Sequence, residues 1–157
     1  MAAFALLVFV ALALIAGEMK RHEVITKGAW PLATDATGPS LSYLAYKNAV
    51  QVYVMRNPGT NGSIPTYALD LDPSTTSTIN PGNQIIRTGN GTQIVTWTTS
   101  QPGLLSAILQ ASSGDASIGT STGYRWTTPL SGDMGPLPLQ VPVGDIVSFV
   151  TFTGVGL

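Results

Sequence analysis

Hydrophobic residues fill the start of the chain without interruption, and polar residues appear only afterwards. Met1–Gly17 contains no charged side chain, whereas residues 18–27 carry six charged or imidazole side chains in close succession. A helix that is apolar on every side is not the surface helix of a soluble domain. At ~1.5 Å per residue, Met1–Gly17 would span roughly 25 Å, and continuation through Val24 and Ile25 would exceed the ~30 Å hydrocarbon core. The pattern predicts a membrane-spanning helix over residues 1–27.

Three groups of residues define this predicted anchor. The hydrophobic membrane-anchor residues are Phe4, Leu6, Leu7, Phe9, Leu12, Leu14 and Ile15. The charges expected at the membrane exit are Glu18, Lys20 and Arg21. Trp30 follows in a connector over residues 28–39, where Trp is typical of the membrane interface, although a packing contact with the domain is an equal alternative.

Alternatives to an uncleaved anchor are a secretory signal and a pilin-like helix that enters a filament core. A signal peptide usually begins with a basic segment, which Met1–Phe4 lacks. Pilin helices carry a glutamate about five residues into the mature sequence, whereas the first acid here is Glu18. The basic residues after the span favour a cytoplasmic domain by the positive-inside rule, but the charge-poor composition of the domain favours export.

A second helix is predicted to begin at Ser40 and to end before Asn57-Pro58-Gly59. Apolar residues recur in it at three- and four-residue spacing, which predicts a stripe that packs on a sheet. The stripe comprises Leu41, Leu44, Ala45, Ala49, Val52, Tyr53 and Met55. The opposite face is expected to carry mainly Lys47, Asn48, Gln51 and Arg56. A helix that meets a partner protein is the alternative to a core helix.

The remaining chain favours an antiparallel sheet. Two β-rich runs flank Gly89-Asn90-Gly91 and predict a hairpin, with Val95 and Trp97 facing the core beneath a Leu-rich helix over residues 102–114. Short strands are predicted at 116–120, 123–128 and 146–153, and three prolines make 131–144 an extended connector or an edge element. Residues 40–157 are thus expected to form one α+β domain, an antiparallel sheet with two helices packed on one face.

Reactive side chains are scarce. The chain has no cysteine, and its single histidine, His22, lies at the predicted membrane exit, so neither a catalytic triad nor a Cys/His metal site is expected. Asp70 and Asp72 could act as paired carboxylates, but Pro73 favours a turn there. A formal net charge of −1 offers no basic surface for nucleic acid. We therefore predict no catalytic residues, no metal, no cofactor and no enzymatic activity.

The apolar start, the run Tyr46-Lys47-Asn48-Ala49-Val50 and the helix end at Asn57-Pro58-Gly59 resemble the PilM family. The later order of a Leu-rich helix, a short strand, a proline-rich passage and a terminal Ile/Val strand is similar as well. The resemblance implies a non-enzymatic, membrane-anchored component of type IVb thin-pilus assembly in the bacterial inner membrane, with a periplasmic domain. Its expected partners are other pilus-assembly proteins or pilin, the lipid bilayer and further copies of itself. The alternative is a pilin-like structural subunit.

Overall fold

A computed structural model describes residues 37–153 of the 157-residue chain. The helical elements are α1 (Thr37–Arg56), a 3-10 turn (Thr66–Ala68), α2 (Pro73–Ser77) and α3 (Leu104–Ala111). The strands are β1 (Pro81–Thr88), β2 (Gly91–Thr98), β3 (Ile118–Ser121), β4 (Arg125–Thr128), β5 (Gly132–Pro136) and β6 (Ile146–Thr153).

The six strands form one antiparallel sheet in the order β1-β2-β6-β3-β4-β5. The last strand of the chain therefore lies at the centre, where it joins the β1–β2 hairpin to the β3–β5 meander. The predicted hairpin and the predicted terminal strand are both confirmed, and the proline-rich passage supplies β5 as an edge strand.

The helices α1 and α3 cover one face of the sheet and contact each other. Their apolar side chains join Ile85, Ile94 and Ile146 of the sheet in the larger of two buried clusters. The predicted α+β class, with an antiparallel sheet and two helices on one face, is confirmed for the described residues.

The other face of the sheet carries a second cluster. Its buried members are Val95, Trp126, Leu137, Val141 and Val147, with Trp97, Leu139 and Phe149 partly buried around them. The segment between β5 and β6 supplies Leu137, Leu139 and Val141, so this segment covers the face that lacks helices.

The predicted orientation of the hairpin is therefore wrong. Val95 and Trp97 face away from α3, whereas Ile94 faces the helices. Trp97 is only partly buried, and its indole lies over Gly82 on β1, where an added Cβ would overlap the ring. Neighbouring strand residues point to opposite faces, and here both faces are covered, so hydrophobicity alone did not indicate which set meets the helices.

The turn that Pro73 was expected to favour is the beginning of α2. Asp72 precedes this short helix, and its Oδ1 accepts a hydrogen bond of 2.8 Å from the backbone N–H of Ser74. Pro73 occupies the first turn, where a missing N–H costs no hydrogen bond. The turn predicted at Asp72 is thus the beginning of a helix, and the capping bond explains its position.

Candidate functional site

The side of α1 that faces the sheet overlaps only in part with the predicted stripe, of which Leu44, Ala49 and Tyr53 pack against the core. The buried residues are Tyr43, Tyr46, Lys47, Val50 and Val54, together with Ser40 near the start. Each residue advances ~100° around a helix, so Val50 and Val52 lie about 200° apart on opposite sides. The Tyr/Lys side of α1 packs into the core because the hydroxyl or ammonium group of each of these side chains has a hydrogen-bonding or charged partner there.

Tyr43 is fully buried, and its hydroxyl donates a hydrogen bond of 3.1 Å to the backbone carbonyl of Thr96 in β2. The Thr96 hydroxyl lies 3.4 Å away from the same oxygen. Burial raises the pKa of the Tyr43 hydroxyl well above its ordinary value, so the group stays neutral. The phenol thus fixes the middle of the sheet to the first half of α1.

One turn further along α1, Tyr46 meets Asn83 of β1. The Asn83 side-chain nitrogen donates to the Tyr46 hydroxyl at 2.6 Å and to the Ile64 carbonyl at 2.8 Å. The Asn83 side-chain oxygen accepts from the backbone N–H of Ile64 at 2.7 Å. Burial raises the pKa of Tyr46 despite the lowering effect of the Asn83 bond. Each side-chain nitrogen and oxygen atom in this buried contact has at least one hydrogen-bond partner, as is usual for polar atoms inside a core.

Lys47, predicted on the solvent side, is buried and forms an ion pair with Asp115 after α3. Partial burial alone would raise the pKa of the Asp115 carboxyl. Hydrogen bonds from Lys47 and from the Ser117 backbone N–H, the latter 2.8 Å long, outweigh that effect and hold the pKa below its ordinary value. The ion pair joins α1 to the turn that leads into β3.

The opposite side of α1 exposes apolar residues. We call this surface the outer strip and define it by Leu41, Ala45, Asn48, Val52 and Met55. Leu41 is 56% exposed, Val52 42% and Met55 66%. Leu41, Val52 and Met55 belong to the stripe that was predicted to face the core, so the prediction is wrong for them. Asn48 was predicted on the opposite face. A helix with apolar residues on two opposite sides is typical of an element that packs on both sides.

A groove of about 410 Å³ runs beside the outer strip. Its walls come from α1 on one side and from residues 68–71 on the other. The lining residues are Ala45, Asn48, Ala49, Val52, Tyr53, Arg56, Asn57, Ala68, Asp70 and Leu71. Arg56 and Asp70 supply one positive and one negative charge to this otherwise neutral surface.

A smaller hollow of about 90 Å³ lies at the end of α1. It is bordered by Val54, Met55, Pro58, Arg87, Thr92 and Phe152. Met55 belongs both to this hollow and to the outer strip, so apolar surface continues beyond the strip at its C-terminal end.

The two edges of the sheet are less suited to binding another protein than the outer strip is. On β1, Ile85 exchanges two backbone hydrogen bonds of 2.8 and 2.9 Å with Gly62, and this pairing covers the middle of the edge. On β5, Pro136 lacks an N–H, and Asp133 forms an ion pair with Arg125 of β4. Proline and charge are the usual devices that keep an edge strand from pairing with other chains. The outer strip is therefore the strongest candidate interaction surface among the described residues.

All the site residues predicted for the anchor precede the described region. This holds for the span over residues 1–27, for the exit charges Glu18, Lys20 and Arg21, and for Trp30. Within residues 37–153, no helix combines the length and hydropathy needed to cross a bilayer. In the same part of the chain, no cluster of His, Cys, Asp or Glu could hold a metal ion. The predictions about membrane insertion and enzymatic activity thus stay predictions.

Comparisons with known proteins extend over most of the chain. The sequence model of the PilM family matches residues 10–149. Among solved structures, the fold is similar to the crystal structure of a protein designated PilM from Escherichia coli B7A, with a TM-score of 0.55 and 20% sequence identity. That match covers 74% of this chain and 92% of the other. No curated protein matches the sequence. At this identity the solved structure supports the fold alone, and the family assignment comes from the sequence match.

Proposed function

The chain belongs to the PilM family, and from this we propose that it is a non-enzymatic, membrane-anchored scaffold of type IV pilus biogenesis. The observation that carries the proposal is the family match over residues 10–149, which supports a pilus-associated role. The match begins inside the uncharged segment Met1–Gly17, so the family pattern includes part of the proposed anchor as well as the domain.

The proposed anchor is the helix over residues 1–27 in the bacterial inner membrane, and the domain lies in the periplasm. Only 10% of the residues are charged, less than half of the usual ~25%. Such a surface suits a protein that contacts other subunits on several sides. The net charge of −1 gives no attraction for nucleic acid.

The proposed scaffold role uses the outer strip and the adjoining groove. Other pilus-assembly proteins or pilin, and further copies of the chain, are its proposed partners. This assignment rests on the exposed Leu41, Val52 and Met55 and on the protected edges of the sheet. Large apolar side chains that cluster at a surface are characteristic of protein interaction sites.

Topology can be tested by reporters fused after Leu157. An alkaline-phosphatase fusion is expected to be active, since that enzyme folds in the periplasm, and a cytoplasmic fluorescent reporter is expected to be dark. The inverse pattern would place the domain in the cytoplasm, as Lys20, Arg21 and Lys27 would favour by the positive-inside rule. Membrane fractionation of the same strains tests the anchor itself.

The scaffold role can be distinguished from that of a filament subunit by scrambling Phe4–Ile15 at constant composition. Lipid responds to the hydrophobicity of a span more than to the order of its side chains, whereas helix–helix packing depends on that order. A scaffold is expected to retain piliation with the scrambled span. Loss of pili despite normal insertion, together with the wild-type protein in sheared filaments, would instead identify a pilin-like subunit.

A further inference from the structure

We propose that the outer strip of α1 binds the outer strip of a second copy of this chain, with the two helices parallel. The parallel orientation rests on the membrane anchoring in the proposed function. The pairing itself rests on the geometry and composition of α1, which belong to the described residues.

The spacing of the outer strip is that of a helix–helix seam. Its five residues follow one another at intervals of four, three, four and three, which is the a/d repeat of two helices that wrap around each other. Tyr43 and Val50 continue the same kind of spacing on the buried side. One helix thus carries two seams on opposite sides, and only the inner seam has its partner within the described chain.

The chemistry of the outer strip favours an identical partner. None of its five residues is charged, so two copies can approach without repulsion between like charges. Asn48 stands in the middle of the strip and is exposed. Its amide both donates and accepts hydrogen bonds, so Asn48 can pair with the partner subunit's Asn48. A single Asn in an apolar seam also selects one alignment of the two helices.

The position of the proposed anchor in the sequence favours the parallel orientation. Residues 1–36 precede α1, and the proposed anchor lies within them. Two copies tethered to one membrane by the N-termini of their α1 helices need shorter connectors for parallel pairing than for antiparallel pairing. Confinement to the membrane also raises the local concentration of one copy around another, which strengthens a contact without any new interaction.

The absence of cysteine from the chain allows a direct test. Asn48→Cys and Met55→Cys are each introduced into the full-length protein, and membranes are treated with a mild oxidant. Parallel pairing places identical residues opposite each other, so both variants are expected to give a disulfide-linked species of twice the monomer mass. Gln110→Cys, at an exposed position of α3, is the matched control and is expected to remain monomeric.

A second substitution tests whether the apolar strip causes the pairing. Val52→Glu, combined with Asn48→Cys, is expected to reduce the cross-linked fraction by on the order of tenfold, because two carboxylates would then face each other. Gln110→Glu, combined with Asn48→Cys, is the matched control and is expected to leave that fraction unchanged. Thermal unfolding of each variant checks that the domain remains folded.

The other outcomes contradict the proposal in distinguishable ways. Monomers alone in all variants, or cross-linking only to a protein of different mass, would exclude self-association through the strip. Cross-linking of Leu41→Cys to Met55→Cys between two differently tagged copies, without identical pairs, would exclude the parallel orientation. If the protein is absent from the membrane fraction, the anchor in the proposed function fails, whereas the same oxidation in the soluble fraction still decides the pairing.

Discussion

The buried side of α1 carries two tyrosines and a lysine, and its outer side carries leucine, valine and methionine. Tyr43 and Lys47 are almost completely enclosed, while Leu41 and Met55 are more than half exposed. The difference lies in the partners that the fold supplies. The sheet and the turn after α3 provide a hydrogen-bonding or charged group for each polar tip on the inner side, so those side chains can contribute their apolar bodies to the core.

This comparison separates two roles that the sequence pattern does not distinguish. The inner side stabilises the fold, because its contacts join α1 to β1, to β2 and to the turn after α3. The outer side adds apolar surface that the described domain does not cover. Substitutions on the inner side are therefore expected to change stability, whereas those on the outer side are expected to change association.

Removal of the Tyr43 side chain should give the largest loss of stability. Tyr43→Ala deletes a fully buried ring and the hydrogen bond to Thr96, and loss of a buried aromatic side chain costs about 3–5 kcal/mol. Urea unfolding of the full-length protein in detergent measures the loss. Leu41→Ala on the outer strip is the control and should change the free energy of unfolding by less than about 0.5 kcal/mol. Equal losses in both variants would contradict the assignment of the two sides.

Two valines of α1 provide a matched pair for the next test. Val50 is fully buried, and Val52 is 42% exposed. Val50→Ala removes two buried methyl groups and should cost about 2 kcal/mol, with part of that cost from the cavity it leaves. Val52→Ala should cost less than about 0.5 kcal/mol. Thermal unfolding of both variants under the same conditions tests the prediction. A larger loss of stability for Val52→Ala would contradict the assignment of the inner and outer sides of α1.

The elements with strong local signals were predictable from the sequence. The hairpin follows from Gly89-Asn90-Gly91 between two β-rich runs, and the terminal strand follows from its β-branched and aromatic residues. These signals come from residues that are adjacent in the sequence, so they can be recognised without knowledge of the fold.

The direction that each element faces was harder to predict. On β2, Ile94 meets the helices and Val95 meets the second cluster, so both sets of alternating residues are buried. On α1, both sides follow a helical period, so the spacing alone does not distinguish the inner side from the outer strip. The spacing predicted that Leu41, Val52 and Met55 would pack on the sheet, whereas they are exposed. Distant partners such as Asn83 and Asp115 determine that the opposite side enters the core. The anchor lies outside the described residues and stays a prediction.

Removal of one hydroxyl from the inner side should have a smaller effect. Tyr46→Phe keeps the ring but deprives the Asn83 amide of one acceptor, while its bond to Ile64 remains. A lost hydrogen bond of this kind costs about 0.5–1.5 kcal/mol. Tyr67→Phe changes a tyrosine that is 90% exposed and should leave stability unchanged. If urea unfolding does not distinguish the two variants, the buried contact between α1 and β1 contributes no net stability.

The smallest expected effect concerns the ion pair between Lys47 and Asp115, because the Asp115 side chain is 29% exposed and water screens its charge. The pKa of Asp115 is lower in the folded protein than its ordinary value of about 3.9. A lowered pKa means that the folded state stabilises the ionised carboxylate, so this stabilisation is complete above the unfolded pKa and is lost as the pH falls through the folded one.

The unfolding temperature should therefore fall between pH 5 and pH 3, and part of that decrease should come from this pair. Lys47→Met removes one of the groups that lower the Asp115 pKa and should make the decrease smaller, since less stabilisation then remains to be lost. Arg56→Met removes a cation from the edge of the outer surface instead and should leave the decrease as it is in the wild type. Each variant removes one cation, so the difference between them reports the contact of Lys47 with Asp115 and not the change in net charge. Equal pH dependence in the wild type and in Lys47→Met would show that the charge buried on the inner side of α1 does not stabilise the fold.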